Sequence, residues 1–237
     1  MTGASRGIGA ATAAMLEGEG ARVLRVSRSA GDVQCDVTEP GAAERIVATC
    51  VERLGRVDVL VNNAGTSRAR ALDELTDEDW REQWELNVMA PMRLMSAAAP
   101  RMAEAGEGRI VNVNSSSGKR PSPRNAAYSV TKAAQLSLSR VFADRWASTG
   151  VLVNAVLPGP VATPLWLAEG GLADQTAAQE GITRAEALER AAAKIPLGRL
   201  GTEEETAAVI VFLCSARASN VTGAAWAADG GAVPLMF

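Results

Sequence analysis

Short runs rich in Val, Ile and Leu alternate along this chain with longer amphipathic stretches, and that alternation constrains the fold more than any other feature. Ala21 to Ser27, Val57 to Asn62, Arg109 to Asn114 and Val151 to Val156 read as buried strands. Gly41 to Leu54, Thr76 to Ala105, Asn125 to Ser148 and Glu203 to Ser215 read as helices. Strand followed by helix, repeated, predicts an α/β chain with a doubly wound parallel sheet between two helical layers. Gly150 stands between a helical run and a strand and reads as a helix stop, while Pro91 and Pro100 should kink or divide the long pattern that contains them. With no linker, low-complexity tract or internal repeat, residues 1–237 are expected to form a single domain.

Composition removes several classes of function. A net charge of −3 without any Lys/Arg cluster argues against nucleic acid as a partner, since phosphates are met by a basic stripe. The apolar runs fall far below the roughly 20 residues that span a bilayer, and no basic, apolar leader opens the chain. No membrane contact and a cytoplasmic location are therefore expected. Cys35, Cys50 and Cys214 are too widely spaced for a disulfide framework or a metal knuckle, and no metal site is expected. The chain has no histidine, one tyrosine (Tyr128) and three lysines (Lys119, Lys132 and Lys194). Proton transfer must then fall to Tyr, Lys, Cys or a carboxylate.

Three local patterns carry chemistry. Gly3, Gly7 and Gly9 punctuate the segment Thr2-Gly3-Ala4-Ser5-Arg6-Gly7-Ile8-Gly9, which opens a helix running through Ala10 to Glu17. Glycines let such a loop turn tightly and approach a pyrophosphate, and the helix N-terminus adds free N–H donors. Asn63-Ala64-Gly65 follows a buried strand, at the end of the sheet where ligands bind in open α/β folds. Ser115 ends another strand, and Tyr128 and Lys132 lie four apart on one helical face, 13 residues beyond the serine.

With these spacings the chain resembles the short-chain dehydrogenase/reductase family, in its compact branch, over nearly its whole length. The resemblance implies a Rossmann fold, a dinucleotide loop at Gly3, Ser5, Arg6, Gly7, Ile8 and Gly9, and a catalytic tetrad of Asn87, Ser115, Tyr128 and Lys132. It further implies cofactor contacts at Ser27, Arg28, Asp36, Val37, Asn63, Ala64 and Gly65, at Tyr128 and Lys132, and at Pro158, Gly159, Val161 and Thr163. It implies a homotetramer or homodimer built on Thr76 to Ala105 and Asn125 to Ser148, and a substrate lid over about 164–196. That stretch is helical in pattern, with Leu165, Trp166, Leu167 and Leu172 near its start.

The implied reaction moves a hydride between nicotinamide and a carbonyl or secondary alcohol, with a 3-oxoacyl thioester or another hydrophobic ketone as substrate. Free tyrosine has a pKa of about 10, and an ammonium at about 4 Å in an effective dielectric of about 20 is worth roughly 4 kcal/mol before desolvation. Lys132 is expected to supply that charge to Tyr128. The strand before the ribose slot ends Val26-Ser27-Arg28, with a cation and no acid, and Arg6 is a second cation. Planar guanidiniums suit a 2′-phosphate, so NADP is expected over NAD. The alternatives are a non-catalytic NADP-binding scaffold or sensor, and an epimerase or dehydratase that recycles its nicotinamide. Lys119, Arg120 and Arg124 are read as a solvated loop or as a contact for an acidic substrate.

Two departures from the family pattern stand out. Only Met1 precedes Thr2, so the first, central strand is expected to be absent from the chain as given, which then starts at an internal methionine or lacks recorded upstream residues. Between Arg28 and Asp36 only seven residues intervene, too few for a crossover helix. A third strand reduced to Val33 to Asp36, and an open adenine pocket, are the expected results.

Overall fold

A computed structural model describes residues 1–67 and 69–234. Its parallel sheet runs in two parts. Strands β1 (Val26–Ser27) and β2 (Val33–Gln34) form one pair, and β3 (Val59–Asn62), β4 (Gly108–Val113), β5 (Val151–Pro158) and β6 (Ala225–Ala228) follow in order in the other. Residues Met1 to Ala4 lie between the parts. The Met1 carbonyl accepts from Val26 N at 2.9 Å, Thr2 N donates to Val61 O at 3.1 Å, and Ala4 N donates to Val26 O at 3.2 Å. Thr2 forms a single parallel bridge with Val26. The expected gap at the first strand is thus a short seam, in which four residues satisfy backbone groups of β1 and β3.

Helices cover both faces. On one side α1 (Gly7–Gly18) packs with α9 (Glu203–Cys214). On the other lie α2 (Ala42–Leu54), α4 (Ala90–Glu104) and α5 (Ala126–Trp146). The strand period of two distributes side chains between two cores. Leu60 and Ile110 join Leu94, Met95 and Met102 of α4, while Val61, Val111, Val113 and Val156 join Ile210 and Leu213 of α9.

Several element bounds differ from the sequence expectation. The run Ala21 to Ser27 yields only the two residues of β1, because the seam beside it is itself only four residues long. The expected reduction of the third strand is present as β2, joined to β1 by residues 28–32 without a helix. The long stretch Thr76 to Ala105 divides into α3 (Asp77–Trp84), a π-helical segment Glu85–Met89, and α4. Pro91 lacks the N–H that would continue the i→i−4 ladder, so the division falls at the residues just before it. Pro100 stays inside α4.

Residues of the expected lid form α6 (Pro164–Leu167), α7 (Leu172–Glu180) and α8 (Arg184–Ala193). The chain leaves for this excursion and returns from it at one place, where Val161 bridges Gly201 and Ala162 N donates to Gly201 O at 2.9 Å. Among the described residues no helix is long and apolar enough to cross a membrane.

Candidate active site

The loop from Thr2 to Gly9 is locked from below by the residues after β3. Asn63 Nδ2 donates to the carbonyls of Thr2 and Gly3 at 3.1 and 3.0 Å, and the Thr2 hydroxyl accepts from the N–H of Asn63 and of Ala64 at 3.1 and 3.2 Å. A β-carbon on Gly9 would stand 2.0 Å from Gly3 O and 2.4 Å from Asn63 Nδ2, so only glycine permits this approach. Gly7 has φ +63° and opens onto Thr163, whose Cβ would lie 3.7 Å from an added β-carbon. The loop and the Pro158–Thr163 turn therefore form two lips of one crevice above the sheet. Gly159 is pressed against Asp229, with 2.9 Å between its would-be β-carbon and the Asp229 Cα.

Helix α1 begins at this crevice with no side-chain cap at Arg6 and no acid in its first turn. By contrast, α3, α8 and α9 each close their N-termini with a Thr capping box, Thr76 with Asp79, Thr183 with Glu186 and Thr202 with Glu205. An open N-terminus beside positive-φ glycines is a phosphate-binding arrangement. Ser5 and Arg6 are exposed at its rim, and Ile8 packs into the α9-side core.

At the far end of the crevice, Ser27 is buried and Arg28 projects with its side chain 75% exposed. The Arg28 guanidinium stands 3.8 Å from Asp36 Oδ2. Burial pushes the Asp36 carboxyl up, but the Thr38 N–H and hydroxyl, donating at 2.9 and 2.7 Å, together with Arg28, hold it below its ordinary value. Val37 is buried in the core beside α2, so its side chain faces inward while its neighbour Asp36 meets the crevice edge.

Ser115, Tyr128, Lys132 and Asn87 come together at the C-terminal end of β4. Ser115 starts a 3₁₀ turn, its hydroxyl accepting from Ser117 N at 3.1 Å. The Ser115 hydroxyl neighbours the Tyr128 phenol; burial pushes that phenol above its ordinary value, and Ser115 opposes the rise. Lys132 is 3% exposed, its Nζ 5.6 Å from the Tyr128 ring centroid. Burial lowers its ammonium to about 7. The expected one-way effect, a full lysine charge pulling the tyrosine down, is corrected here: with no carboxylate beside it among the described residues, the amine itself loses affinity for its proton.

Asn87 sits in the π-helical segment, fully buried, and its Nδ2 donates to Gln83 Oε1 and Thr131 Oγ1 at 2.9 and 3.1 Å. Its Oδ1 has no hydrogen-bond partner among the described residues. Both that oxygen and Lys132 Nζ lie within 4 Å of the point where a Gly65 β-carbon would stand, at 3.6 and 3.9 Å. The glycine of Asn63-Ala64-Gly65 thereby leaves room beside Asn87 and Lys132.

Arg124, read from sequence as part of a solvated loop, instead pairs with Glu180 at the end of α7, and Arg190 of α8 reaches the same carboxylate at 3.2 Å. Gln175 of α7 accepts from Ala69 N at 2.9 Å. These contacts fasten α7 to the loop after β3 and to the turn before α5.

Sequence reasoning missed a row of buried amides beneath the tetrad. Asn62 Nδ2 donates to Asn112 Oδ1, and Asn112 Nδ2 to Ser139 Oγ, each at 2.8 Å. Asn114 Nδ2 reaches Lys132 O and Gln135 Oε1, each at 2.9 Å. The signal was available: two polar residues at alternate positions, Asn112 and Asn114, at the end of a largely apolar strand, and a glutamine one turn after Lys132 on the same helical face.

Comparison with known proteins agrees over the full chain. A family model described as enoyl-(acyl carrier protein) reductase matches residues 3–233. The short-chain reductase protein NovJ of Streptomyces niveus is 37% identical, covering 98% of this chain and 92% of that protein. The 3-oxoacyl-(acyl-carrier-protein) reductase FabG of Vibrio cholerae is 34% identical, covering 98% and 95%. The crystal structure of a variant actinorhodin polyketide ketoreductase with NADPH superposes with a TM-score of 0.92 at 33% identity, covering 99% of this chain and 96% of that one.

Proposed function

The chain belongs to the short-chain dehydrogenase/reductase family, and from that membership we propose an NADP-dependent oxidoreductase that interconverts a carbonyl and a secondary alcohol. The observation that carries the proposal is the meeting of Ser115, Tyr128 and Lys132 at one end of a glycine-loop crevice whose helix N-terminus is open.

The crevice suits a dinucleotide. Gly3, Ser5, Arg6, Gly7, Ile8 and Gly9 would hold its pyrophosphate, and Ser27, Arg28, Asp36 and Val37 its adenosine end. Asn63, Ala64, Gly65, Pro158, Gly159, Val161 and Thr163 would line the nicotinamide end. The chemistry a bound NADP supplies there is hydride transfer to or from carbon. Arg28 and Arg6 favour the 2′-phosphate, and the reductases solved with NADPH support the same choice.

Tyr128 keeps its proton at neutral pH because burial raises its phenol, which suits a general acid toward an oxygen gaining negative charge. The Ser115 hydroxyl donates to that oxygen beside the Tyr128 phenol, aligning the two. Lys132, held near neutrality, exchanges a proton readily and can restore the one that Tyr128 gives up. Asn87 Oδ1 offers an acceptor next to this route.

Residues 164–196 act as the substrate lid over a single domain. Exposed Leu165 and Leu167 suit a hydrophobic substrate, for which 3-oxoacyl thioesters are the first class to try. Family resemblance adds a cytoplasmic location and a homotetramer or homodimer, and exposed Trp84, Val130 and Val141 on α3 and α5 suit such an interface.

The test is NADPH oxidation over a panel of acyl thioesters, hydrophobic ketones and sugars, with Tyr128→Phe as control. At least one class should be reduced, and Tyr128→Phe should lower kcat by about 100-fold or more. Since the chain has no second tyrosine, a Tyr128→Phe enzyme within a few-fold of wild type overturns the mechanism. NADPH binding without turnover on any substrate would favour a scaffold or sensor.

A further inference from the structure

Lys132 carries a buried amine with no anionic partner among the described residues. On its own helix the titratable neighbour is Tyr128. The amine donates to the Val113 carbonyl of β4, Asn114 and Gly118 lie against the Lys132 backbone carbonyl, and the amine and Asn87 Oδ1 both lie within 4 Å of the point where a Gly65 β-carbon would stand. None of these brings a charge. Two acceptors hold the amine, Val113 O at 2.9 Å and Gln135 Oε1 at 3.2 Å.

The orientation of Gln135 follows from its neighbours. Asn114 Oδ1 accepts from Ser115 N at 2.8 Å, which turns the Asn114 NH₂ toward Lys132 O and Gln135. Two donors, Asn114 Nδ2 and Lys132 Nζ, then converge on one atom of Gln135, and only the amide oxygen can receive both. Gln135 is 1% exposed, and a hydrocarbon side chain of similar volume would fill the helix-to-sheet contact equally well. A carbonyl is needed at this depth only because donors face it.

We propose that Gln135 is a positioning residue for the hydride-transfer reaction, its Oε1, oriented by Asn114, holding the Lys132 amine behind Tyr128. The proposal rests on the assignment of Tyr128 and Lys132 given above. It ties the serine and the lysine into one unit: Asn114 bonds the backbone of Ser115 and of Lys132 and aims the acceptor that receives the Lys132 side chain.

Two variants separate positioning from packing. Gln135→Met keeps the volume and removes the acceptor, so the ammonium should be disfavoured further. Gln135→Glu keeps the shape and adds a carboxylate, so the ammonium should be favoured. The alkaline limb of kcat/KM should move down by about one pH unit in the first and up by about one unit or more in the second. Because the chain holds only three lysines, ¹³Cε-labelled lysine gives few signals, and Lys132→Arg identifies the one to follow by NMR titration without substrate. That signal should move in the same two directions.

Gln135→Met should retain NADPH binding while kcat falls about tenfold; should it fail to fold, the near-isosteric Gln135→Glu carries the test alone. Wild-type pH profiles and Lys132 titrations in the folded variants, with Tyr128→Phe inactive, overturn the proposal and leave the function standing. An active Tyr128→Phe overturns both.

Discussion

On one side of the seam formed by Met1 to Ala4, β1 and β2 contribute two residues each, joined by five residues that run over the surface. On the other side β3 to β6 run to as many as eight residues, with buried amides bonded between strand and helix. On the proposed reading the first region would hold the adenosine end of a dinucleotide, and the second carries Asn87, Ser115, Tyr128 and Lys132. A cofactor that is gripped by backbone N–H groups and exposed cations asks for turn conformations, which a short sheet can supply. A lysine held near neutrality asks for a dry, fully bonded surrounding, and that takes a deep sheet with helices on it.

The largest effect expected of any change along the crevice comes from the glycine loop beside the seam, at the tightest approach its backbone makes. Gly9→Ala puts a methyl 2.0 Å from Gly3 O and 2.4 Å from Asn63 Nδ2, and the loop must move to admit it. A shift of about 1 Å at such a site costs on the order of 100-fold, so kcat/KM for NADPH should fall by at least that much. Overpacking also costs about 1–3 kcal/mol of stability. Gly18, at the other end of the same helix, has nothing within 4 Å of its would-be β-carbon. Gly18→Ala should raise the melting temperature, by up to about 1 kcal/mol in stability, with kinetics unchanged. Equal effects of the two substitutions would show that the loop does not depend on close approach.

On the chemical side the corresponding change is Asn112→Ala. It removes the acceptor of Asn62 Nδ2 and one donor to Ser139, and Asn62 Oδ1 already lacks a partner among the described residues. A buried orphan costs about 1–3 kcal/mol, and for a chain of this size each kcal/mol lowers the melting temperature by about 2–4 °C. The loss should be shared: Asn62→Ala with Asn112→Ala should cost clearly less than the two separately, since each strands the other. Strict additivity, measured by thermal melts, would mean the amides act independently.

How much of this was legible in advance differs between the same two regions. The glycine loop, the Asn63-Ala64-Gly65 turn and the Ser115, Tyr128, Lys132 spacing could be read because each is a local pattern, set by turn conformation or helical period. The abbreviated β2 was also readable, from the count of residues between Arg28 and Asp36. The seam was not, because nothing in four residues says they will bond to Val26 on one side and Val61 on the other. The direction of the Lys132 shift depends on burial and on the absence of a carboxylate nearby, both products of tertiary packing. Arg124 and Glu180 lie 56 residues apart in the chain, and only the packing of α7 beside the turn before α5 brings them together.

The smallest effect on stability, and the most selective effect on function, belongs to Arg28. Its side chain is 75% exposed and holds only a 3.8 Å contact with Asp36, so Arg28→Ala should change folding stability by no more than about 0.5 kcal/mol. On the proposed reading its guanidinium would meet the ribose 2′-phosphate, with no helix between β1 and β2 to cover it. A charge-assisted bond is worth about 1.5–3 kcal/mol, so KM for NADPH should rise at least about tenfold while KM for NADH stays the same or falls. The rise should shrink as salt is added, because an exposed cation is screened where a buried one is not. Equal shifts for the two cofactors would move the choice between them away from Arg28, to Arg6 or to the backbone of the loop. A shift for NADPH alone would mean that the thin side of the sheet does its selecting with one exposed charge.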